Sequence, residues 1–144
     1  MCCKLWQSMT AVEFLEPDIG LMLHDAAIAA YGGNPGLRDQ GLFESAMLRA
    51  RNKLAYAGEA ADLYDLAAAY AFGLVRNHAF NDGNKRTAWA VAVTFLSLNG
   101  VELKVSKDAV LAAIIGLATN ALSEEGFAVW LRAPGQPSPG SADP

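Results

Sequence analysis

NKRTAWAVAVTFLSLNG, residues 84–100, is a helix-forming run whose apolar side chains cover every side of the helix. The apolar positions extend from Ala88 to Leu98 with few polar interruptions. A helix that is apolar all round is enclosed by other elements, because any exposed side would leave apolar surface in water. We therefore predict that a helix begins near Asn84, ends by Gly100 and lies at the centre of a helical bundle.

Helical spacing of apolar residues also dominates on both sides of this run. Three helices are predicted before it and two after it, each opened by a residue type that is favoured at helix starts. Those residues are Pro17 for the first helix and the caps Asp39, Asp62, Ser106 and Ser123 for the others. Residues 101–105 alternate in polarity but have no partner strand, so no sheet is predicted. The expected fold class is an all-α, single-domain helical bundle.

The bulk composition excludes several classes of protein. With 53% hydrophobic and 18% charged residues, the chain is globular and not disordered. Its net charge of −4 argues against DNA or RNA as a direct partner. No apolar stretch reaches the roughly 18 residues that a membrane span needs, and no signal peptide is evident. Because Cys2 and Cys3 are adjacent and no other cysteine is present, we expect a reducing, cytoplasmic location.

One domain accounts for most of the 144 residues. We assign it to residues 13–133. Residues 1–12 form an N-terminal extension that is expected to be loosely ordered, and Met9 is an alternative start. Residues 134–144 are rich in Pro, Gly and Ser and are expected to be disordered.

The segment HAFNDGNKRT, residues 78–87, separates the third and fourth predicted helices. Lys85 and Arg86 fall in the first turn of the fourth helix, where the helix dipole disfavours cations. The conflict disappears if an anion binds there, because a helix N-terminus presents free N–H groups to a phosphate. Gly83 leaves room for such a ligand to approach the backbone. This pattern predicts a phosphate-binding loop.

Two further residues of the loop suggest what is done with the phosphate. Asp82 would repel a phosphate unless a metal lies between them, and Mg²⁺ is commonly held by a carboxylate together with phosphate oxygens. His78 is the residue best suited to accept a proton near neutral pH. Each residue alone has an ordinary structural explanation, and Phe80 is expected to anchor the loop in the core. Together they indicate transfer of a group from a nucleotide phosphate.

The pattern HxFxDGNKR resembles the signature of the Fic/Doc superfamily, His-x-Phe-x-(Asp/Glu)-(Ala/Gly)-Asn-(Gly/Lys)-Arg, at every defined position. Lys85 is similar to the Doc (death on curing) branch, since most Fic enzymes carry Gly there. Likeness to the Doc branch extends from about Phe14 to Leu131. It implies an all-α bundle whose signature loop opens a central helix, in agreement with the periodicity.

The resemblance also implies roles for the loop residues. His78 would deprotonate the acceptor hydroxyl, Asp82 would hold Mg²⁺, and Lys85 and Arg86 would stabilise charge during the transfer. The nucleotide phosphates of ATP would be bound by Gly83, Asn84, Lys85 and Arg86. The implied function is that of a toxin of a type II toxin–antitoxin system. It would phosphorylate a hydroxyl of a translation factor, with elongation factor Tu as the first candidate, and so halt translation.

Other functions stay open at this point. AMP transfer of the Fic type is one, although many AMP-transferring members carry a second Arg where this chain has Trp89. A non-catalytic nucleotide-binding module is another. No P-loop motif occurs. His24-Asp25 stands too early for a metal phosphohydrolase of the HD type, so His24 is interpreted as a helix-face residue near the groove.

Regulation is expected to come from a second protein. Fic proteins that inhibit themselves carry the pattern (Ser/Thr)-x-x-x-Glu-(Gly/Asn). Here Glu125-Gly126 is preceded, four residues earlier, by Ala121, so the pattern is missing. The resemblance implies an antitoxin of the Phd type, whose disordered tail would fold as a helix in a groove near the loop.

Overall fold

Residues 12–133 are described by a computed structural model, and six α-helices account for most of them. The helices are α1 (Pro17–Tyr31), α2 (Gln40–Ala57), α3 (Leu63–Asn77), α4 (Asn84–Leu98), α5 (Lys107–Ala118) and α6 (Glu124–Arg132), with a 3-10 turn at Gly58–Ala60. The only β-type pairing within residues 12–133 is one isolated antiparallel bridge. The predicted all-α fold is confirmed. The predicted tail, and the N-terminal extension apart from Val12, lie outside the described residues.

None of the helices in the described part of the chain has the length and apolar character needed to span a membrane.

Local capping explains where most helices begin. Four helices open with a side chain that accepts the backbone N–H of the third helical residue, which satisfies one of the N–H groups that a helix start leaves free. The four capping residues are Asp39, Asp62, Ser106 and Ser123, as predicted. Helix α4 differs, because it follows Gly83 and has no side-chain cap.

Helices α3 and α4 form the inside of the bundle. Helix α3 packs against α2, α4, α5 and α6, whereas α4 packs against α1, α3 and α5. The predicted central helix after the loop is confirmed, and α3 shares the centre with it. Helix α4 is not enclosed on every side, however, since Leu98 near its end is 51% exposed. Alanines at positions 67, 68, 69 and 71 and Gly73 are buried on α3. A Cβ atom at Gly73 would lie 3.2 Å from the Cα atom of Ala46, so the absence of a side chain there allows α2 to approach closely.

The final helix is fixed by charge as well as by apolar packing. Glu124, at the start of α6, is buried and accepts from Arg49 (Nη2–Oε1 2.5 Å) and Lys53 (Nζ–Oε2 2.7 Å) of α2. Burial by itself would raise the pKa of Glu124, but the hydrogen bonds and charges of these two cations outweigh burial and lower the pKa. The carboxylate is therefore ionised and links the start of α6 to α2.

Candidate active site

The backbone at His78 reverses the chain between α3 and α4. His78 adopts the left-handed conformation (φ 52°, ψ 48°), which is uncommon for a residue other than glycine. Its carbonyl accepts two hydrogen bonds from Arg38, from Nε at 2.9 Å and from Nη2 at 2.7 Å. Arg38 Nη2 also lies 3.3 Å from the carbonyl of Asn77. The guanidinium thus holds the end of α3 and the His78 backbone, while the imidazole remains exposed.

Asn84 braces the signature loop, residues 78–86, from inside. Its side chain is buried, accepts the N–H of Phe80 at 3.0 Å and donates to the Phe80 carbonyl at 3.0 Å. The same Nδ2 lies 3.3 Å from Nδ1 of His78. Since Nδ2 can only donate, Nδ1 accepts, and a neutral His78 ring in this position carries its proton on Nε2. The contact is long, so it orients the ring only weakly.

Phe80 lies beneath the loop in the core. Its ring stacks on the imidazole of His24 at 3.7 Å between centroids and meets Phe43 edge-on at 5.3 Å. Next to it, the isolated bridge joins Leu37 to Phe80, and the N–H groups of Arg38 and Asp39 donate to the carbonyl of Ala79. The predicted position of Phe80 in the core is what the structure shows.

The start of α4 is open to an anion. The first backbone bond of the helix runs from Thr87 N–H to the Gly83 carbonyl at 3.0 Å, so the N–H groups of residues 84–86 precede the helical ladder. Among the hydrogen bonds of residues 12–133, none uses these three N–H groups. No acidic residue occupies the first turn, where Lys85 and Arg86 are exposed. Free N–H groups and two exposed cations therefore occupy the same first turn of α4, where a phosphate would be favoured.

Gly83 and Arg86 shape this cradle. Gly83 has φ 76°, and a Cβ atom there would lie 3.3 Å from Ile28 Cδ1. A side chain would thus be strained and would crowd the backbone that a ligand must reach. Arg86 extends toward the end of α1, where Nη1 lies 3.3 Å from the Gly32 carbonyl and the guanidinium lies 5.0 Å from the centre of the Tyr31 ring. These contacts position one of the two cations beside the cradle.

Asp82 presents its carboxylate at the rim of the cradle. Oδ2 accepts the N–H of Asn34 at 3.3 Å and Oδ1 accepts the N–H of Gly83 at 2.9 Å. The bond from Asn34, then that from Gly83, and the charge of Arg86 lower the pKa of the Asp82 carboxyl. An ionised carboxylate has about four lone-pair sites, so two remain after these bonds.

The donor set near Asp82 fits Mg²⁺ better than a metal held by protein alone. Within the described residues, no group of three or more His, Cys, Asp and Glu side chains is close enough to hold a metal ion. Mg²⁺ is usually bound through one or two carboxylates, substrate phosphates and water, so a single exposed carboxylate beside an anion cradle suits it. Asp82 is the residue that would hold such an ion.

Sequence reasoning missed three residues that support the site. Arg38 holds the backbone of His78, Asn34 binds the carboxylate of Asp82, and His24 contacts the Asp82 carbonyl. The sequence placed His24 on a helix face near the groove, whereas it is buried beneath the loop with 1% of its surface exposed. No periodic spacing connects these residues to the loop, so their contacts with it could not be read from the sequence.

The loop thus joins an exposed histidine, an ionised carboxylate and an uncapped, cationic helix start, which is an arrangement suited to binding a phosphate. The model of the Fic/DOC family matches residues 14–96, more than half of the chain. The chain therefore belongs to the Fic/DOC family.

Two relatives identify the branch of the family. The protein named "Protein kinase doc" of Escherichia phage P1 is 40% identical over 119 residues, which cover 82% of this chain and 92% of that protein. "Toxin Doc" of Mycolicibacterium smegmatis is 46% identical over 83 residues, which cover 58% of this chain and 64% of that protein. The prediction of a Doc-type member, made from Lys85 and the flanking segments, is confirmed.

Proposed function

We propose that this chain is a toxin that transfers the γ-phosphate of ATP to a hydroxyl group of a translation factor, elongation factor Tu being the first candidate. The observation that carries the proposal is the uncapped start of α4, with its free N–H groups and two cations, directly after a loop that contains His78 and Asp82. The names of the two relatives, a kinase and a toxin, support it.

The residues of the loop divide the reaction among them. The hydroxyl oxygen of the substrate forms a bond to the γ-phosphorus, the bond from that phosphorus to the β,γ-bridging oxygen breaks, and ADP leaves. His78 accepts the hydroxyl proton at Nε2. This step requires the ring to carry its other proton on Nδ1, so the long contact with Asn84 must break, and the exposed ring is free to turn.

The cradle supplies electrostatic stabilisation. The N–H groups at the start of α4, with Lys85 and Arg86, face charge that develops on the transferring phosphoryl group. Mg²⁺, held by Asp82, would neutralise phosphate charge. Asn84 contributes its backbone N–H, because its side-chain atoms already bind the loop backbone.

Two positions favour transfer of phosphate over transfer of AMP. Lys85 takes the position of a Gly in most Fic enzymes, and its side chain occupies space where β- and γ-phosphates would otherwise fold back. Trp89 stands where many AMP-transferring members have an Arg, and it packs against Trp130 with 5.9 Å between ring centroids. A phosphate tail directed toward position 89 would therefore meet an aromatic ring in place of that arginine.

Intact-mass spectrometry of elongation factor Tu, after incubation with the chain and Mg-ATP, tests the proposal. A phosphate adduct is expected, and γ-labelled but not α-labelled ATP should transfer its label. An AMP adduct would show the Fic-type reaction instead. If neither label reaches any protein of a cell lysate, the chain is a non-catalytic nucleotide-binding module.

Two variants separate the roles of the loop residues. His78→Ala should lower the transfer rate by about 10²–10⁴-fold while the melting temperature and nucleotide affinity stay near those of the wild type. Asp82→Asn should instead remove the Mg²⁺ dependence of nucleotide binding. A His78→Ala chain that melts early, with no separate loss of rate, would show that the histidine has only a structural role.

Neutralisation by a second protein completes the proposed function. Glu125 and Gly126 lie in the first turn of α6, where Ser123 caps the helix, so they belong to an ordinary helix start. The isolated chain should therefore be active or toxic, and co-expression of a Phd-type antitoxin should suppress it. A chain that is silent alone and becomes active when its own helices are truncated would contradict this regulation.

A further inference from the structure

His24 is a fully buried polar side chain outside the signature loop. It lies on α1, 58 residues before its hydrogen-bond partner, with 1% of its surface exposed. Nε2 lies 2.7 Å from the backbone carbonyl of Asp82. Its ring is nearly parallel to that of Phe80, at 9° and 3.7 Å between centroids. The imidazole thus touches the loop both through its face and through one nitrogen.

The chemistry of this contact assigns a direction to it. A backbone carbonyl only accepts hydrogen bonds, so Nε2 of His24 must carry a proton and donate. The other nitrogen, Nδ1, lies 4.0 Å from Oδ1 of the exposed Asp25, which is beyond hydrogen-bond distance. Apart from the stacked Phe80, the loop neighbour of the ring is Gly83, where a Cβ atom would lie 3.5 Å from Nε2.

Three separate contacts fix Asp82, and His24 supplies the only one on the backbone side within the described residues. The carboxylate is bound by the N–H groups of Asn34 and Gly83, whereas the carbonyl is bound by His24. Asp82 is exposed and follows an exposed Asn81, so its neighbours in the chain give it no packing. The hydrogen bond from the imidazole therefore fixes the backbone of Asp82 from the side opposite to its carboxylate contacts.

We propose that His24 is a positioning residue, which holds Asp82 so that its carboxylate can share a divalent cation with the phosphates bound at α4. The role rests on the proposed function, since it presumes that Asp82 carries Mg²⁺. Residues that orient a metal ligand through a hydrogen bond typically change metal affinity by 10–100-fold when they are replaced. His24 itself touches neither the metal nor the nucleotide.

Two substitutions separate the hydrogen bond from the ring. His24→Phe keeps an aromatic ring against Phe80 and removes the donor, whereas His24→Gln keeps an amide donor at similar reach and removes the ring. Binding of an ATP analogue with a non-hydrolysable β,γ bond is measured by calorimetry, with Mg²⁺ and with EDTA. His24→Phe should weaken binding about 10–100-fold in Mg²⁺ and leave binding in EDTA unchanged. His24→Gln should stay within about threefold of the wild type in both conditions.

The outcomes distinguish the two proposals. If the wild type shows no Mg²⁺-dependent binding, the proposed function fails and takes the role of His24 with it. If the wild type depends on Mg²⁺ and His24→Phe matches it, only the role of His24 fails. Equal losses in Mg²⁺ and in EDTA would likewise overturn it, since a general distortion of the loop would then explain the variant.

A measurement on the unaltered chain covers the case in which His24→Phe does not fold. The chain has two histidines, so a spectrum of ¹⁵N-histidine-labelled protein contains two imidazoles, and His78→Ala assigns them. Nε2 of His24 should be protonated, with a proton that exchanges slowly because the ring is buried. An unprotonated Nε2 would show that the ring does not donate to Asp82 and would overturn the proposal whether or not the chain transfers phosphate.

Discussion

Gly33→Ala should weaken the proposed magnesium site at Asp82 without altering any residue of the signature loop. Gly33 has φ 126°, and a Cβ atom placed there would lie 2.8 Å from Oδ2 of Asp82. Ordinary contacts of a Cβ atom begin at about 3.4 Å, so the carboxylate oxygen must move by at least about 0.6 Å. Mg²⁺ requires nearly ideal octahedral geometry at roughly 2.0–2.1 Å, so a shift of this size displaces a ligand.

A neighbouring glycine provides the control. Gly32 also has a positive φ, 85°, but a Cβ atom there would have nothing within 4 Å. Both substitutions impose a backbone conformation that alanine disfavours, at about 1–3 kcal/mol in the free energy of unfolding. Only Gly33→Ala adds contacts, with the Asp82 carboxylate and with Ile28 Cδ1 at 3.0 Å. Urea unfolding should therefore show a loss of stability for both variants, and a larger one for Gly33→Ala.

The assay is the Mg²⁺ dependence of nucleotide binding, measured by titrating the ion at a fixed concentration of a non-hydrolysable ATP analogue. Gly33→Ala should raise the midpoint of the Mg²⁺ titration about 10–100-fold, and Gly32→Ala should leave it within about threefold of the wild type. If the midpoints of both variants match that of the wild type, the placement of the cation at Asp82 is refuted. A shift of the same size in both would show that backbone strain, and not the displaced carboxylate, controls the site.

Two further perturbations test the supports of the site and of the fold. Arg38→Ala removes both hydrogen bonds to the His78 carbonyl, so kcat should fall about tenfold or more with little change in the KM for ATP. Arg38→Lys should not restore kcat, because a lysine lacks the paired donors of the guanidinium group. An unchanged kcat in Arg38→Ala would show that the loop keeps its conformation without Arg38. Glu124→Gln should lower the free energy of unfolding by about 1–3 kcal/mol, less than for a fully buried pair since Arg49 and Lys53 are partly exposed. Because the pKa of Glu124 is lowered, the stability it contributes is complete above its usual value of 4.5 and is lost as pH falls through the lower folded value. A stability difference between wild type and Glu124→Gln that grew on acidification would contradict the ion pair.

The elements that the sequence predicted are those specified by neighbouring residues. Helix starts depend on a cap and the amide three residues later, so Asp39, Asp62, Ser106 and Ser123 could be assigned from local pattern alone. The loop residues could be found for the same reason, since histidine, carboxylate and cations fall within nine positions. The roles assigned to them remain predictions until the variants are measured.

The supports of the site could not be predicted because each is a contact between distant segments. Arg38 and His78 are 40 residues apart, and His24 and Asp82 are 58 apart. Neither pair shares a helix, so no spacing rule applies to it. The central position of α3 was not predicted, for a different reason. Four of its nine buried residues are alanines, whose small side chains give a weak hydropathy signal but allow close helix packing.

The start of α4 shows how the stability of the fold and the proposed chemistry oppose each other at one place. Two cations in the first turn of a helix cost roughly 0.3–1 kcal/mol each, and the missing cap costs about as much again. Four other helices of the same chain have a side-chain cap, so the composition does not prevent one here. Arg86 is instead supported by the ring of Tyr31 and the carbonyl of Gly32. A bound phosphate would remove both penalties at once, because it accepts the free N–H groups and neutralises the cations. The feature that destabilises the empty helix start is therefore the same feature that would bind the nucleotide.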